Sequence, residues 1–262
     1  MEKRDKAGTA RNEKVLNCLY QKPNAIFRLI CFPWAGGGST YFAKWGETMC
    51  DFLEVHCIRL AGRESRFEEH FASDIYQIVD EIVGALLPIL QDKPFAFFGH
   101  SMGSYIAFMT ALHLKEKHNL ELMHLFVSSM TPPHSKAKIH IPERRELSEE
   151  QIQALILSFG GTHMDFFNNK ELYEQYVTRL EADACIIKNY IFNAPAEPIL
   201  SCDLTCFVGS EDTAEDVEAW KELTRGSFDI HVRPGNHFYL METSNETFIK
   251  NYISKCLELS ML

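Results

Sequence analysis

The chain has 262 residues, 46% of them hydrophobic and 24% charged, which is ample apolar material for one large α/β domain. A formal net charge of −10 argues against nucleic acid as the main partner, and no apolar run approaches the length of a membrane span. The opening MEKRDKAGTARNEK lacks the apolar stretch of a secretory leader, so a cytosolic location is expected. The eight cysteines are then expected as free thiols rather than disulfides.

In chain order, the first strand expected is FRLICF, residues 27–32. The loop PWAGGGST follows it, and its run of glycines lets backbone N–H groups approach a ligand closely. VHCIRL, residues 55–60, reads as the next strand, leading into the basic turn RLAGRESR with Arg59, Arg63 and Arg66. In SDIYQIVDEIVGALLPIL, Ile75, Ile78, Val79, Ile82, Val83 and Leu86 fall at helical spacing, with Ser73 as the expected N-cap. FAFFG (95–99) is a strand and 102–118 a helix; HLFVSS (124–129), LTCFVG (204–209) and FDIHVR (228–233) are further strands. These runs are nearly continuous in apolar residues, as strands buried on both faces are. Their alternation with helices predicts a mostly parallel central sheet flanked by helices. Cys202 and Cys206 fall on one face of the LTCFVG strand region without a second Cys/His pair, so neither a metal site nor a cofactor is expected.

Residues 147–193 interrupt the alternation. Ser148 and Gln151 form a capping box, Gly160-Gly161 is a helix stop, and Leu172, Tyr176, Leu180 and Ala184 then recur four apart. The expectation is one domain over 1–262, with a core of about 25–146 and 194–262 and a helical insertion over about 147–193. Ligands of open α/β sheets bind at strand carboxyl ends, where such insertions land, so the insertion is expected to be a lid. The stripe Ile152, Leu155, Ile156 and Phe159 would line the groove beneath it, the alternative being that the stripe only packs on the core.

The chemistry centres on GHSMG, residues 99–103, a G-x-S-x-G placed between a strand and a helix. This is the setting of a nucleophile elbow: a sharp turn lifts Ser101 above the sheet, and side chains at Gly99 and Gly103 would clash. A serine hydroxyl needs a base and a group that orients the base. VGSEDT delivers Glu211 and Asp212 after one strand, and RPGNHF delivers His237 after the next. Asp212 and Glu211 both remain candidates for the acid. His56, His124 and His231 lie within or at the start of strands, His100 is the variable position of the elbow, and His134 and His163 lie in connecting or inserted segments. One oxyanion donor should be the N–H of Met102, and the second should come from the glycine-rich loop. That loop lacks the G-K-[ST] ending of a phosphate loop. SKAK at 135–138 has the S-x-x-K spacing but none of its companion motifs, and the closing SML lacks the basic residue of a peroxisomal address.

FPWAGGGSTYFAKW, IRLAGRESR, FGHSMGSYIAF, VGSEDT and PGNHFYL occur in order, and together they resemble the type II thioesterases of the α/β-hydrolase superfamily from about residue 25 to the end. The resemblance implies an α/β-hydrolase fold and a triad of Ser101, Asp212 and His237. It implies oxyanion N–H groups from Met102 and Ala35. It also implies release of a medium-chain fatty acid from the phosphopantetheine arm of the acyl carrier domain of a fatty acid synthase. LAGR stands where the family often has L-P-G-R, which changes loop stiffness but removes no chemical group. Because carrier domains are usually acidic, Arg59, Arg63 and Arg66 are candidate docking cations, with internal ion pairs as the alternative. A monomer is expected. The other readings are an oxygen-ester hydrolase of the carboxylesterase or lipase type and an inactive hydrolase-fold binding protein.

Overall fold

A computed structural model describes residues 12–137, 141–142, 144–162, 164–193 and 196–260. Of the positions named above, the first eleven residues, Lys138, His163, the core boundary at 194 and the final Met261-Leu262 lie outside the described residues. The strands are β1 (Leu16–Asn17), β2 (Phe27–Phe32), β3 (Leu53–Ile58), β4 (Phe95–His100), β5 (His124–Ser128), β6 (Asp203–Gly209) and β7 (Phe228–Arg233). They form one sheet in the order β1-β3-β2-β4-β5-β6-β7. Only β1 runs antiparallel to its neighbour, so the carboxyl ends of β2, β4, β5, β6 and β7 share one edge.

β2 and β7 have the bounds the apolar runs predict, and β4, β5 and β6 shift by one residue at one end. β3 covers 53–58 rather than 55–60. Leu53 pairs with Phe27, and the Arg59 N–H leaves the ladder to donate to Val15 O (2.7 Å). β4 and β5 are buried along their whole length, whereas β7 at the sheet edge is only half-covered.

The helices are α1 (Thr40–Ala43), α2 (Trp45–Thr48), α3 (Ile75–Leu90), α4 (Met102–His118), α5 (Glu149–Phe159), α6 (Lys170–Asn189) and α7 (Thr243–Leu259). The N-cap of α3 is Asp74, one residue past the expected Ser73. Its carboxylate accepts the Gln77 N–H, while the Ser73 N–H turns to the Gln77 side chain. On one face of the sheet Ile78, Ile82 and Leu86 of α3 and Ile106 of α4 pack against Ile30, Phe32 and Phe97. On the other, Phe42, Trp45, Ile249 and Ile253 pack against Leu29, Val55, Phe98 and Phe126. Each such buried side chain contributes roughly 1.5–3 kcal/mol, so the two faces together hold the sheet rigid beneath its loops. α5 and α6 carry a small core of their own: Ile152, Ile156, Tyr173 and Val177. The Ser148–Gln151 capping box opens α5 and Gly160 closes it, as the sequence predicts.

Candidate active site

Ser101 joins β4 to α4 with φ 53° and ψ −125°, a strained backbone that a sharp turn imposes. The turn holds strand and helix so close that a methyl group at Gly99 would lie 2.3 Å from the Gly103 carbonyl oxygen, and one at Gly103 would lie 2.0 Å from that of Phe32. Both glycines of the motif are therefore required by backbone-to-backbone contact. The Ser101 N–H is anchored on Ser128 O at 2.8 Å, which fixes the elbow to β5.

The loop after β7 brings His237 to this serine: Nε2 lies 3.0 Å from Ser101 Oγ. The loop after β6 brings Asp212, whose Oδ1 lies 2.9 Å from His237 Nδ1. The Asp212 side chain is fully buried, and Oδ1 also accepts the N–H groups of Thr213 (2.7 Å) and Ala214 (3.3 Å). Burial alone would raise this carboxyl. The hydrogen bond and charge of His237, with help from the Ser129 hydroxyl, outweigh burial and hold it below the usual carboxylate range. Asp212 is thus ionised at neutral pH and fixes Nδ1 as the protonated ring nitrogen, leaving Nε2 free to accept the serine proton. Glu211, the other candidate, is exposed and lines the cavity wall, and nothing joins its carboxylate to His237. The other histidines weighed above lie elsewhere: His56 bonds Glu54, His124 bonds Thr205, His134 bonds Glu222, and His231 packs against the rings of Phe207 and Tyr252. His100 lies fully buried beneath the site, bonded to Ser128 Oγ at 2.9 Å. Burial, and then the nearby His237, drive its imidazole well below its ordinary pKa.

Among the described residues, no protein acceptor takes the N–H of Met102 or of Ala35. The Met102 N–H is the first of α4, where the helix dipole favours developing negative charge. Ala35 and Ser101 both line a cavity of about 940 Å³ with His237, Trp34, Met130 and Phe238. The insertion supplies the opposite wall. Ile152, Leu155 and Phe159 of α5 and Tyr176, Leu180 and Ala184 of α6 line the cavity, and the Phe159 ring lies 5.5 Å from that of His237. Ile156 does not line it. That side chain turns into the α5/α6 core and is 2% exposed, so its place in the predicted stripe reflects packing within the insertion.

The docking expectation fails for Arg63 and Arg66. Arg63 is 2% exposed and Arg66 3%. Arg63 forms a two-pronged ion pair with Asp183, both bonds 2.8 Å. Arg66 pairs with Glu69 and Glu81 and donates to Arg59 O. Arg59 bonds Glu64 and the carbonyls of Glu13 and Lys14. The Arg63 and Arg66 guanidiniums are consumed inside the protein and present no free cation to a carrier, whereas Arg59 is partly exposed and ion-paired at the surface. Asp183 and Glu64 went unnoticed in the sequence. The one signal for Asp183 is a carboxylate set among the apolar positions Leu180, Ala184 and Ile187 of α6.

A serine on a strained strand-to-helix turn, met by an Asp–His pair from later loops of a parallel sheet, defines a serine hydrolase of the α/β-hydrolase fold. Comparison with known proteins narrows the class. A family model described as a thioesterase domain matches residues 27–256. The medium-chain S-acyl fatty acid synthase thioesterases of Rattus norvegicus and Homo sapiens are each 58% identical over 262 residues, covering all of this chain and 100% and 99% of their own lengths. The crystal structure of human thioesterase 2 superposes with a TM-score of 0.68 at 53% identity, covering 91% of this chain and 99% of its own. The chain belongs to the thioesterase family.

Proposed function

We propose that this enzyme hydrolyses medium-chain fatty acyl thioesters on the phosphopantetheine arm of a fatty acid synthase acyl carrier domain, through an acyl-enzyme on Ser101. The observation that carries the reading is the Ser101–His237–Asp212 chain of hydrogen bonds opening onto a largely apolar cavity. The human and rat relatives, medium-chain S-acyl fatty acid synthase thioesterases, supply the synthase and the chain length.

His237 Nε2 takes the Ser101 proton as Oγ attacks the thioester carbonyl carbon, and Asp212 stabilises the imidazolium that forms. The carbonyl oxygen becomes an oxyanion held by the N–H groups of Met102 and Ala35. The carbon–sulfur bond then breaks. A thiol of pKa about 8.5 leaves more readily than an amine, so His237 need donate its proton only late. Water enters, gives a proton to His237 and attacks the acyl-enzyme; the acid departs and the proton returns to Ser101. Residues 147–193 act as the lid of a single domain, with Ile152, Leu155 and Phe159 shaping the acyl groove. The enzyme works as a cytosolic monomer. Among the described residues no helix is long and apolar enough to cross a membrane.

The test is decanoyl release from a phosphopantetheinylated carrier domain, with fluorophosphonate labelling in parallel. Wild type should be labelled on Ser101, and Ser101→Ala should fold, resist labelling and lose nearly all turnover. Labelling on a cysteine, or faster cleavage of ethyl decanoate than of the decanoyl thioester, would overturn the assignment.

A further inference from the structure

We infer that Asp183 and Arg63 form a buried positioning pair through which the insertion helix α6 sets the direction of the Ala35 N–H, and hence the strength of the oxyanion site. The inference rests on the proposed reading of Ala35 as an oxyanion donor.

The Ala35 N–H and the Trp34 C=O belong to one planar unit and point in opposite directions. Trp34 O accepts the Gly37 N–H at 2.9 Å, so whatever holds the 34–37 turn holds the Ala35 N–H. The turn has two braces, and both meet at Asp183. Asp183 Oδ2 accepts the Gly36 N–H at 2.7 Å and one Arg63 nitrogen at 2.8 Å. That same Arg63 nitrogen donates to Gly37 O at 2.9 Å, and the second guanidinium nitrogen reaches Asp183 Oδ1 at 2.8 Å. The two side chains are 2% and 3% exposed. In such a site a bidentate guanidinium–carboxylate pair is rigid and an unpaired charge is costly, so the geometry is held tightly. Glu64 secures the far end of the loop by accepting from the Ser39 N–H and hydroxyl.

Asp183 comes from the insertion, while the loop and Arg63 come from the sheet domain. The pair therefore ties the wall of the acyl cavity to the group that would receive the developing charge. Tyr176 and Leu180, which line the cavity, lie on the turns of α6 that precede Asp183.

The test uses the full chain with Asp183→Asn and the double variant Asp183→Asn/Arg63→Met, which removes the buried charge as well. Turnover is normalised to the fraction of sites titrated by a fluorophosphonate. Asp183→Asn should lower kcat by about 10- to 100-fold, less than deleting a donor outright does. The loss should be equal for acetyl and decanoyl thioesters, with KM changed less than threefold. Affinity for a trifluoromethyl ketone, whose adduct carries the oxyanion, should fall by the same factor. The double variant should recover Tm but not kcat, and it carries the test alone if the single variant does not fold. Recovery of kcat with Tm would show that only the buried charge mattered and would overturn the inference. A loss confined to decanoyl substrate, or a change in KM alone, would overturn it as well. If wild type fails to label at Ser101, the catalytic reading itself falls, a result separate from any of these.

Discussion

Replacing Asp212 by asparagine removes a charge while leaving the shape, and the surroundings of this carboxylate decide how much is lost. Oδ1 accepts from His237 Nδ1 and from the N–H groups of Thr213 and Ala214. Oδ2 is buried and makes no hydrogen bond of normal length, the Ser129 hydroxyl giving the carboxyl only a weaker interaction. An asparagine will keep its carbonyl oxygen on the side crowded with donors and turn its amide nitrogen to the Oδ2 position. The imidazole then keeps its tautomer, and what disappears is the attraction between carboxylate and imidazolium. At about 4 Å and an effective dielectric of about 20 that attraction is roughly 4 kcal/mol, or on the order of 10³-fold in kcat. Burying an amide N–H₂ without a partner costs a further ~1–3 kcal/mol of stability, so Tm should fall. The assay is decanoyl-thioester turnover per fluorophosphonate-titrated site, with Glu211→Gln as control, which should stay within threefold of wild type. A loss under tenfold for Asp212→Asn, or an equal loss for Glu211→Gln, would refute the assignment of the acid. A loss of 10⁴-fold or more would refute the retained tautomer, since that is the size of effect when the amide turns its nitrogen to the ring.

Gly103→Ala should abolish soluble active enzyme, because the added methyl meets the Phe32 carbonyl oxygen at 2.0 Å; an active variant with unchanged Tm would contradict the close strand–helix approach. Leu155→Trp should move the chain-length optimum to shorter acyl groups, each excluded methylene costing about 0.8 kcal/mol or roughly fourfold in kcat/KM; a uniform decline from acetyl to palmitoyl would place the groove elsewhere. Ile156→Ala should instead destabilise by about 2–5 kcal/mol with no shift in optimum, since that side chain packs inside the insertion. Burial brings His124 down to about 4, below the ~6.5 of an unfolded chain. Unfolding therefore takes up a proton, and this contribution to stability is present above pH ~6.5 and lost as pH falls to about 4. His124→Gln should flatten that part of the Tm–pH profile, and an unchanged slope would exclude the buried neutral imidazole.

Strand cores, the elbow and the caps of the insertion helix α5 were legible because each is encoded within a few residues. FRLICF is apolar throughout and became β2 with its expected bounds, and Ser148 and Gln151 close their capping box locally. β1 was invisible because two residues carry no periodicity; it exists only by pairing with Cys57 and Ile58. Asp212 and Glu211 could not be told apart because adjacent residues on a turn differ only in which side chain points inward, and the His237 loop decides that. Arg63 looked like a surface cation for a similar reason. Its partner Asp183 is 120 residues away, beyond anything a local pattern reports.

The far end of α5 bears on how this enzyme can be re-engineered. Phe159 O accepts the Phe238 N–H at 3.1 Å, one residue beyond His237, and a methyl group at Gly160 would lie 2.4 Å from the Asn236 side chain. With Asp183 seated on the glycine-rich loop at 2.7 Å, the insertion is sewn to the catalytic loops at two separate places. It is therefore a poor cassette. A chimera that exchanges 147–193 for a foreign segment in order to change chain-length preference must transplant both seams as well, a glycine after the first helix and a carboxylate facing Arg63. Otherwise it will trade selectivity for turnover. Substitutions at Leu155, between the seams, leave both intact and are the safer place to begin.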